Sequence, residues 1–179
     1  MYFFVPYNIS PIQQAIQAGH AALEYSLQHF EKEDFRNFAF VDKTWIILNG
    51  GTTNHNRDLD GKVVGSLNQI ADDLLANGIR FSFFQEPDLN DALTAVCFLA
   101  DERVWDYENY PEFYDWLLNL EMDPTSKYAL DLKNPVLRRS TPEQFKTAFP
   151  ELYARWTKEI PGSEKNEFLR NLIRGKKLA

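Results

Sequence analysis

The chain is 179 residues long, with 44% hydrophobic and 25% charged residues, a length for one compact domain plus an appendage and a composition that excludes disorder over most of it. Its single cysteine, Cys97, excludes an intrachain disulfide or a cysteine-built zinc site and points to a reducing compartment. The net charge of −7 is concentrated in residues 1–100, which hold 6 basic against 12 acidic side chains, and this disfavours nonspecific binding of that half to phosphate backbones.

Met1 to Tyr7 is apolar, lacks a basic flank and is cut by Pro6 short of signal-peptide length, so it reads as a strand. Ser10-Pro11 is a helix start, with Ser10 as cap and Pro11 in the position where a missing amide costs nothing. Ile12, Ile16, Gly19, Leu23, Leu27 and Phe30 then recur at helical spacing, a stripe expected to pack on a sheet, with Gln13, Gln17, His20 and Glu24 as the neighbouring polar stripe. Thr44 to Leu48 reads as a buried strand ending at the turn signal Asn49-Gly50-Gly51. Thr52 to Gly61 is polar and reads as a loop. Ser66 to Ala76 is a second amphipathic helix stopped by Asn77-Gly78. Ile79 to Phe84 is an edge strand, Gln85 to Asp91 a linker, and Thr94 to Leu99 a fourth strand.

The order βαβαββ predicts an α/β domain over 1–100 built on a four-stranded mixed sheet with packed helices, largely parallel with one antiparallel pair. Beyond Ala100 the signals are helical, and 101–179 is a helical C-terminal extension with starts at Pro111, at Thr141-Pro142 and at Ser163. Asp123 to Asn134 is polar and irregular. The aromatic residues Trp105, Tyr107, Tyr110, Phe113, Tyr114 and Trp116 read as an anchor holding this extension onto its parent domain, ahead of a protein interface, which is enriched in the same residues. Its last stretch, Lys165 to Ala179, carries five basic residues against Glu167 alone, so contact with a polyanion should begin there. No apolar stretch approaches the roughly 20 residues that span a bilayer, so no membrane association and a cytoplasmic location are expected.

Several chemistries lack their residues. His20 and Glu24 share a helix face at a spacing that metal sites use, but no third ligand accompanies them. Asn56 to Gly61 opens like a calcium loop, yet the twelfth position is Leu67 where a bidentate glutamate is needed. Neither a phosphate-binding loop of the Walker type nor a nucleophile elbow is present.

Ser10 to Leu23 resembles the first helix of the type II peptidyl-tRNA hydrolase family, whose pattern there is Lys-x-x-x-Gln-x-x-His-Ala. Gln17, His20 and Ala21 match, and Gln13 stands where the lysine would be. Asp91 to Val96 resembles the family's last strand with its site-facing threonine, here Thr94, and the loop before it holds Glu86 and Asp88 where the family carries an aspartate, without its Gly-Arg-Thr signature. The resemblance covers residues 1–100. It implies hydrolysis of the ester joining a peptide to the 3′ end of tRNA, with no metal or organic cofactor. Gln17 would then orient water or the ester, Asp88 serve as base or orienter and Thr94 hydrogen-bond the reacting group, with His20 either a further catalytic residue or a histidine that packs the helix. Gln13 would donate a hydrogen bond without a lysine's charge. Arg170, Arg174, Lys176 and Lys177 would reach the tRNA acceptor stem. The other reading is a non-catalytic module on the same fold that binds protein or RNA, favoured by the missing lysine, the missing Gly-Arg-Thr segment and the acidic site half, and a third is a structural subunit of a homodimer.

Overall fold

In the computed structural model, which describes residues 1–52, 59, 65–120 and 136–179, the chain forms two compact units, Met1–Ala100 with Arg174–Ala179, and Asp101–Ile173. The irregular stretch Asp123 to Asn134 and the calcium-like stretch Asn56 to Gly61, Leu59 excepted, lie outside the described residues.

The first unit is α/β. Its elements are β1 (Tyr2–Pro6), α1 (Pro11–His29), the short α2 (Glu33–Asn37) running into a π-helical turn at Phe38–Asp42, β2 (Ile46–Gly51), α3 (Ser66–Ala76), β3 (Phe81–Glu86) and β4 (Ala92–Phe98). The strands form one open sheet in the order β2-β1-β4-β3. Only β1 and β2 run parallel, while β4 is antiparallel to both neighbours. The sheet is therefore mixed, with fewer parallel pairs than expected, because β4 inserts between β1 and β3 instead of extending the β1–β2 edge. All seven residues of β4 are buried, as its unbroken apolar run requires.

Strand parity divides the interior. Phe3, Val5, Ala95 and Cys97 join Ala18, Ala21 and Tyr25 of α1 in one cluster. Phe4 points the other way and meets Leu67 of α3 at Gly50, where an added Cβ would lie 2.4 Å from Leu67 Cδ2 and 3.0 Å from Phe4 Cβ. Gly50-Gly51, expected as a turn, is thus the end of β2, and glycine is needed there so that α3 can approach the strand. Cys97 is part of the packing, with Sγ 3.2 Å from the Ala21 carbonyl, and burial pushes its thiol up to about 12.

The face of α1 that meets the sheet is not the expected one. Gln14, Gln17, Ala18, Ala21 and Tyr25 are buried, whereas Ile12, Ile16, Leu23, Leu27 and Phe30 are exposed. Small Ala18 and Ala21 allow close approach to the strands. The two buried carboxamides are satisfied, Gln14 Nε2 donating to Pro6 O at 3.0 Å and Gln17 through partners described below.

The end of the chain returns to this unit. Lys177 O accepts from Asn49 N at 2.9 Å, Ala179 N donates to Ile47 O at 3.0 Å, and Leu178 bridges antiparallel to Leu48. These bonds cover the free edge of β2.

The second unit is helical: α4 (Phe113–Asn119), α5 (Pro142–Ala148), α6 (Pro150–Glu159) and α7 (Ser163–Ile173). The start at Thr141 is a complete capping box with Gln144. Helix α6 has no counterpart among the expected elements, although Pro150 and Glu151 in its first turn are the same kind of start signal. Where one core is expected, this unit has a core of its own, made of Phe113, Trp116, Leu117, Phe145, Phe149, Tyr153 and Trp156. Phe113 is its centre, with ring centroids at 5.0 Å from Phe145, 5.1 Å from Tyr153 and 5.6 Å from Trp156. The aromatic run around 113–116 thus builds a core for its own unit.

Candidate functional site

The polar group that gathers residues from distant parts of the first unit lies where α1 crosses β3 and β4. Its construction depends on a bulge. Phe84 pairs with Ala95 and Gln85 with Leu93, so Thr94 is an extra residue in β4. A bulge re-aims the side chain of the inserted residue, and here it turns Thr94 to the α1 side, the side that Ala95 also faces.

There the Thr94 hydroxyl donates to Gln17 Oε1 at 2.6 Å, and Gln17 Nε2 donates to Glu86 Oε2 at 2.6 Å. A second acceptor for the Thr94 proton, Phe84 O, is 3.3 Å away. The polarity of the chain follows from its members: a carboxylate only accepts, so it fixes the amide nitrogen of Gln17 on its side and the amide oxygen toward the hydroxyl. Thr94 is fully buried and Gln17 nearly so, and Glu86 is half-buried. The result is a buried hydroxyl and amide that hold one carboxylate at the boundary with solvent.

Glu86 is there because β3 runs two residues further than expected. Gln85 and Glu86 pair with Leu93 and Ala92, and Pro87–Leu89 forms a 3-10 turn followed by Asn90 and Asp91, both left-handed at φ 53° and 56°. That tight return absorbs the expected linker into the sheet. Ser82, Phe84 and Glu86 then alternate along one face of β3 and meet α1 in turn: Ser82 Oγ donates to Gln28 Oε1 at 2.9 Å, the Phe84 ring lies 4.3 Å from that of His20, and Glu86 meets Gln17.

The other expected residues distribute differently. Gln13 is exposed and its carboxamide closes the capping box of α1, with Oε1 accepting from Ser10 N at 3.0 Å while Ser10 Oγ accepts from Gln13 N. Asp88 is exposed on the 3-10 turn and takes no part in the network. His20 packs on Phe84 with the rings tilted by 53°, and its Nδ1 is buried with no hydrogen-bond partner among the described residues. Of the residues expected from the sequence, Gln17 and Thr94 meet, and the carboxylate that joins them is Glu86 and not Asp88. The alternation begun at Ser82 was the signal that could have found it.

Of the basic residues, Arg174, Lys176 and Lys177 are exposed. Arg170 is not available to a polyanion. It is 1% exposed, its guanidinium donates to the carbonyls of Val104 and Arg103, and it stacks 4.1 Å from the Tyr107 ring centroid. Its place in a buried network accounts for a basic residue that composition alone assigns to the surface. Lys176 and Lys177 lie along β2, the sheet edge opposite β3, so three strand spacings of about 4.8 Å each separate that edge from Glu86.

Among the described residues no cluster of three or more histidine, cysteine, aspartate or glutamate side chains is placed to hold a metal ion, and no helix is long and apolar enough to cross a membrane. No family model, curated protein or solved structure matches the chain.

Proposed function

We propose that the first unit is an ester hydrolase of the peptidyl-tRNA hydrolase type, cleaving the bond between a peptide and the 3′ oxygen of tRNA. The observation that carries this reading is the relay Thr94–Gln17–Glu86, which holds a carboxylate at the edge of a buried site. Glu86 Oε2 is occupied by Gln17, which leaves the other carboxylate oxygen to accept from a water and remove its proton as that water attacks the ester carbonyl. The acyl carbon–oxygen bond then breaks, the proton passes to the departing ribose oxygen, and the peptide leaves as a free carboxylate. Gln17 and Thr94 are positioning residues for Glu86. Gln13, whose Oε1 is held by Ser10, retains its amide N–H groups to donate to the carbonyl oxygen as charge develops there. A neutral donor in place of a lysine costs on the order of a hundredfold in rate, so slow turnover is expected. Arg174, Lys176 and Lys177 would meet the phosphates of the acceptor stem.

A second reading, a non-catalytic module on the same scaffold, is favoured by one observation. Gln13 serves as a helix cap and brings no positive charge to the site.

The deciding experiment is release of peptide from a purified acylaminoacyl-tRNA. Turnover by the wild type that Glu86→Gln abolishes, and that Gln17→Ala lowers with an altered pH profile, supports hydrolysis by the relay. Turnover that survives Glu86→Gln removes Glu86 as the base. Silence from the wild type together with recovery in Gln13→Lys assigns a retained scaffold with lapsed chemistry. Silence from both leaves the binding module.

A further inference from the structure

The apolar stripe of α1 is uncovered. Ile12 is 75% exposed, Leu23 64% and Leu27 81%, with Ile16 and Phe30 about half exposed. These five side chains present on the order of 600 Å² of apolar surface per copy, at the top of the range for the largest patch of a monomer and approaching the roughly 800 Å² per partner of a stable interface. The helix is also nearly uncharged. Among its 19 residues, Glu24 is the sole aspartate, glutamate, lysine or arginine, whereas a solvated helix face is normally covered with charge and interface cores are depleted of it.

The pattern of the stripe identifies what fits it. Positions 12, 16, 19, 23, 27 and 30 read the same in reverse about the midpoint between Gly19 and Leu23, to within one residue. A second α1 laid antiparallel across this midpoint sets Ile12 against Phe30, Ile16 against Leu27, and Leu23 against Gly19. Gly19 supplies the hole for that knob, since nothing lies within 4 Å of a Cβ built on it. Ala15 and the half-exposed Ala22 and Ser26 flank the stripe and let the helices approach. Self-complementarity of one patch about a two-fold axis is the requirement for an isologous dimer, and a shallow crossing of about 20° is one of the preferred classes of helix packing.

We infer that the chain forms a two-fold symmetric homodimer through antiparallel α1 helices, with Leu23 of each copy seated over Gly19 of the other.

The test combines association and register. Sedimentation velocity over the micromolar range should show a concentration-dependent dimer for the wild type. Leu23→Glu should raise its dissociation constant by about a hundredfold or more, because a charge would be buried without a partner, while Leu75→Glu, an equally exposed leucine on α3 at 70%, should leave it unchanged. Single-chain behaviour of the wild type, or equal loss in both variants, overturns the proposal. Register is read by mild oxidation, for which buried Cys97 is a silent background. A mixture of Gly19→Cys and Leu23→Cys chains should cross-link between unlike copies, and neither variant alone should do so. Cross-linking of each variant with itself would mean a parallel pair and would overturn the antiparallel arrangement even if a dimer exists.

Discussion

Thr94 carries one hydroxyl proton and faces two acceptors, Gln17 Oε1 at 2.6 Å and Phe84 O at 3.3 Å. The first is a buried side-chain oxygen, and an orphaned buried acceptor costs roughly 1–3 kcal/mol. Thr94→Val keeps the shape of the side chain and removes the proton, so urea unfolding of the first unit should lose about that much, with an unchanged denaturant slope. A second residue reports through pH. Burial, and after it the Arg80 guanidinium, hold the His29 imidazole below its ordinary value, against a smaller opposite pull from Asp34, and His29 Nε2 is buried without a partner among the described residues. The unfolded chain therefore binds this proton more readily than the folded one. The stability that neutral His29 contributes is complete above the ordinary histidine value of about 6.5 and is lost as pH falls toward the lower folded value. The urea midpoint should decline across that window in the wild type, and His29→Gln should flatten the decline. Of these residues the sequence pattern exposed Gln17 and Thr94 through their resemblance. It leaves Glu86 in a loop beside Asp88 and not on the strand, because two consecutive left-handed residues at Asn90 and Asp91 decide where β3 ends, and non-glycine residues rarely advertise that conformation.

At the scale of elements, local chemistry was legible and the choice of face was not. Ser10-Pro11 and Thr141-Pro142 start helices as read, because a cap acts within four residues of itself. Helix α1 has two faces that can be buried, one of large isoleucines and leucines and one of small alanines with carboxamides. The sheet takes the second, since Gln14 and Gln17 find partners on β1, β3 and β4 that only the assembled unit provides. Bulges are equally invisible in a single sequence. The one in β4 turns Thr94 inward, and the one at the end of β2 passes over Gly50, between the Val5–Asn49 and Pro6–Gly51 pairs. Gly51 tests how tightly that second bulge is built. Its φ is +111°, and an added Cβ would fall 1.7 Å from Ser66 Oγ and 2.7 Å from Ser66 Cβ. Gly51→Ala should therefore destabilise the first unit by about 2–4 kcal/mol, from backbone strain and from displacement of the start of α3. Adding Ser66→Ala should not restore it in thermal unfolding, because the Ser66 Cβ clash remains.

For the whole molecule, the chain leaves the first unit at Ala100, builds a second core, and returns at Arg174 to lay its last residues along β2. The exposed edge of a sheet is a row of unpaired amides and carbonyls, so the returning segment, bridged at Leu178, covers the edge of a sheet whose four strands lie within the first hundred residues. Composition reads Arg174 to Ala179 as a basic, solvated tail, and nothing local in it distinguishes a strand partner. The pairing is set by the edge it meets. Deleting residues 174–179 removes the bonds from Asn49 N to Lys177 O and from Ala179 N to Ile47 O, worth about 1 kcal/mol each. The first unit should thus lose about 2 kcal/mol. Hydrogen exchange read by mass spectrometry locates the loss: the Asn49 amide should become unprotected and protection across β1 and β2 should fall, while α4 to α7 keep theirs because their core of Phe113, Trp116 and Trp156 is their own. Equal loss in both units would mean instead that they unfold as one cooperative body.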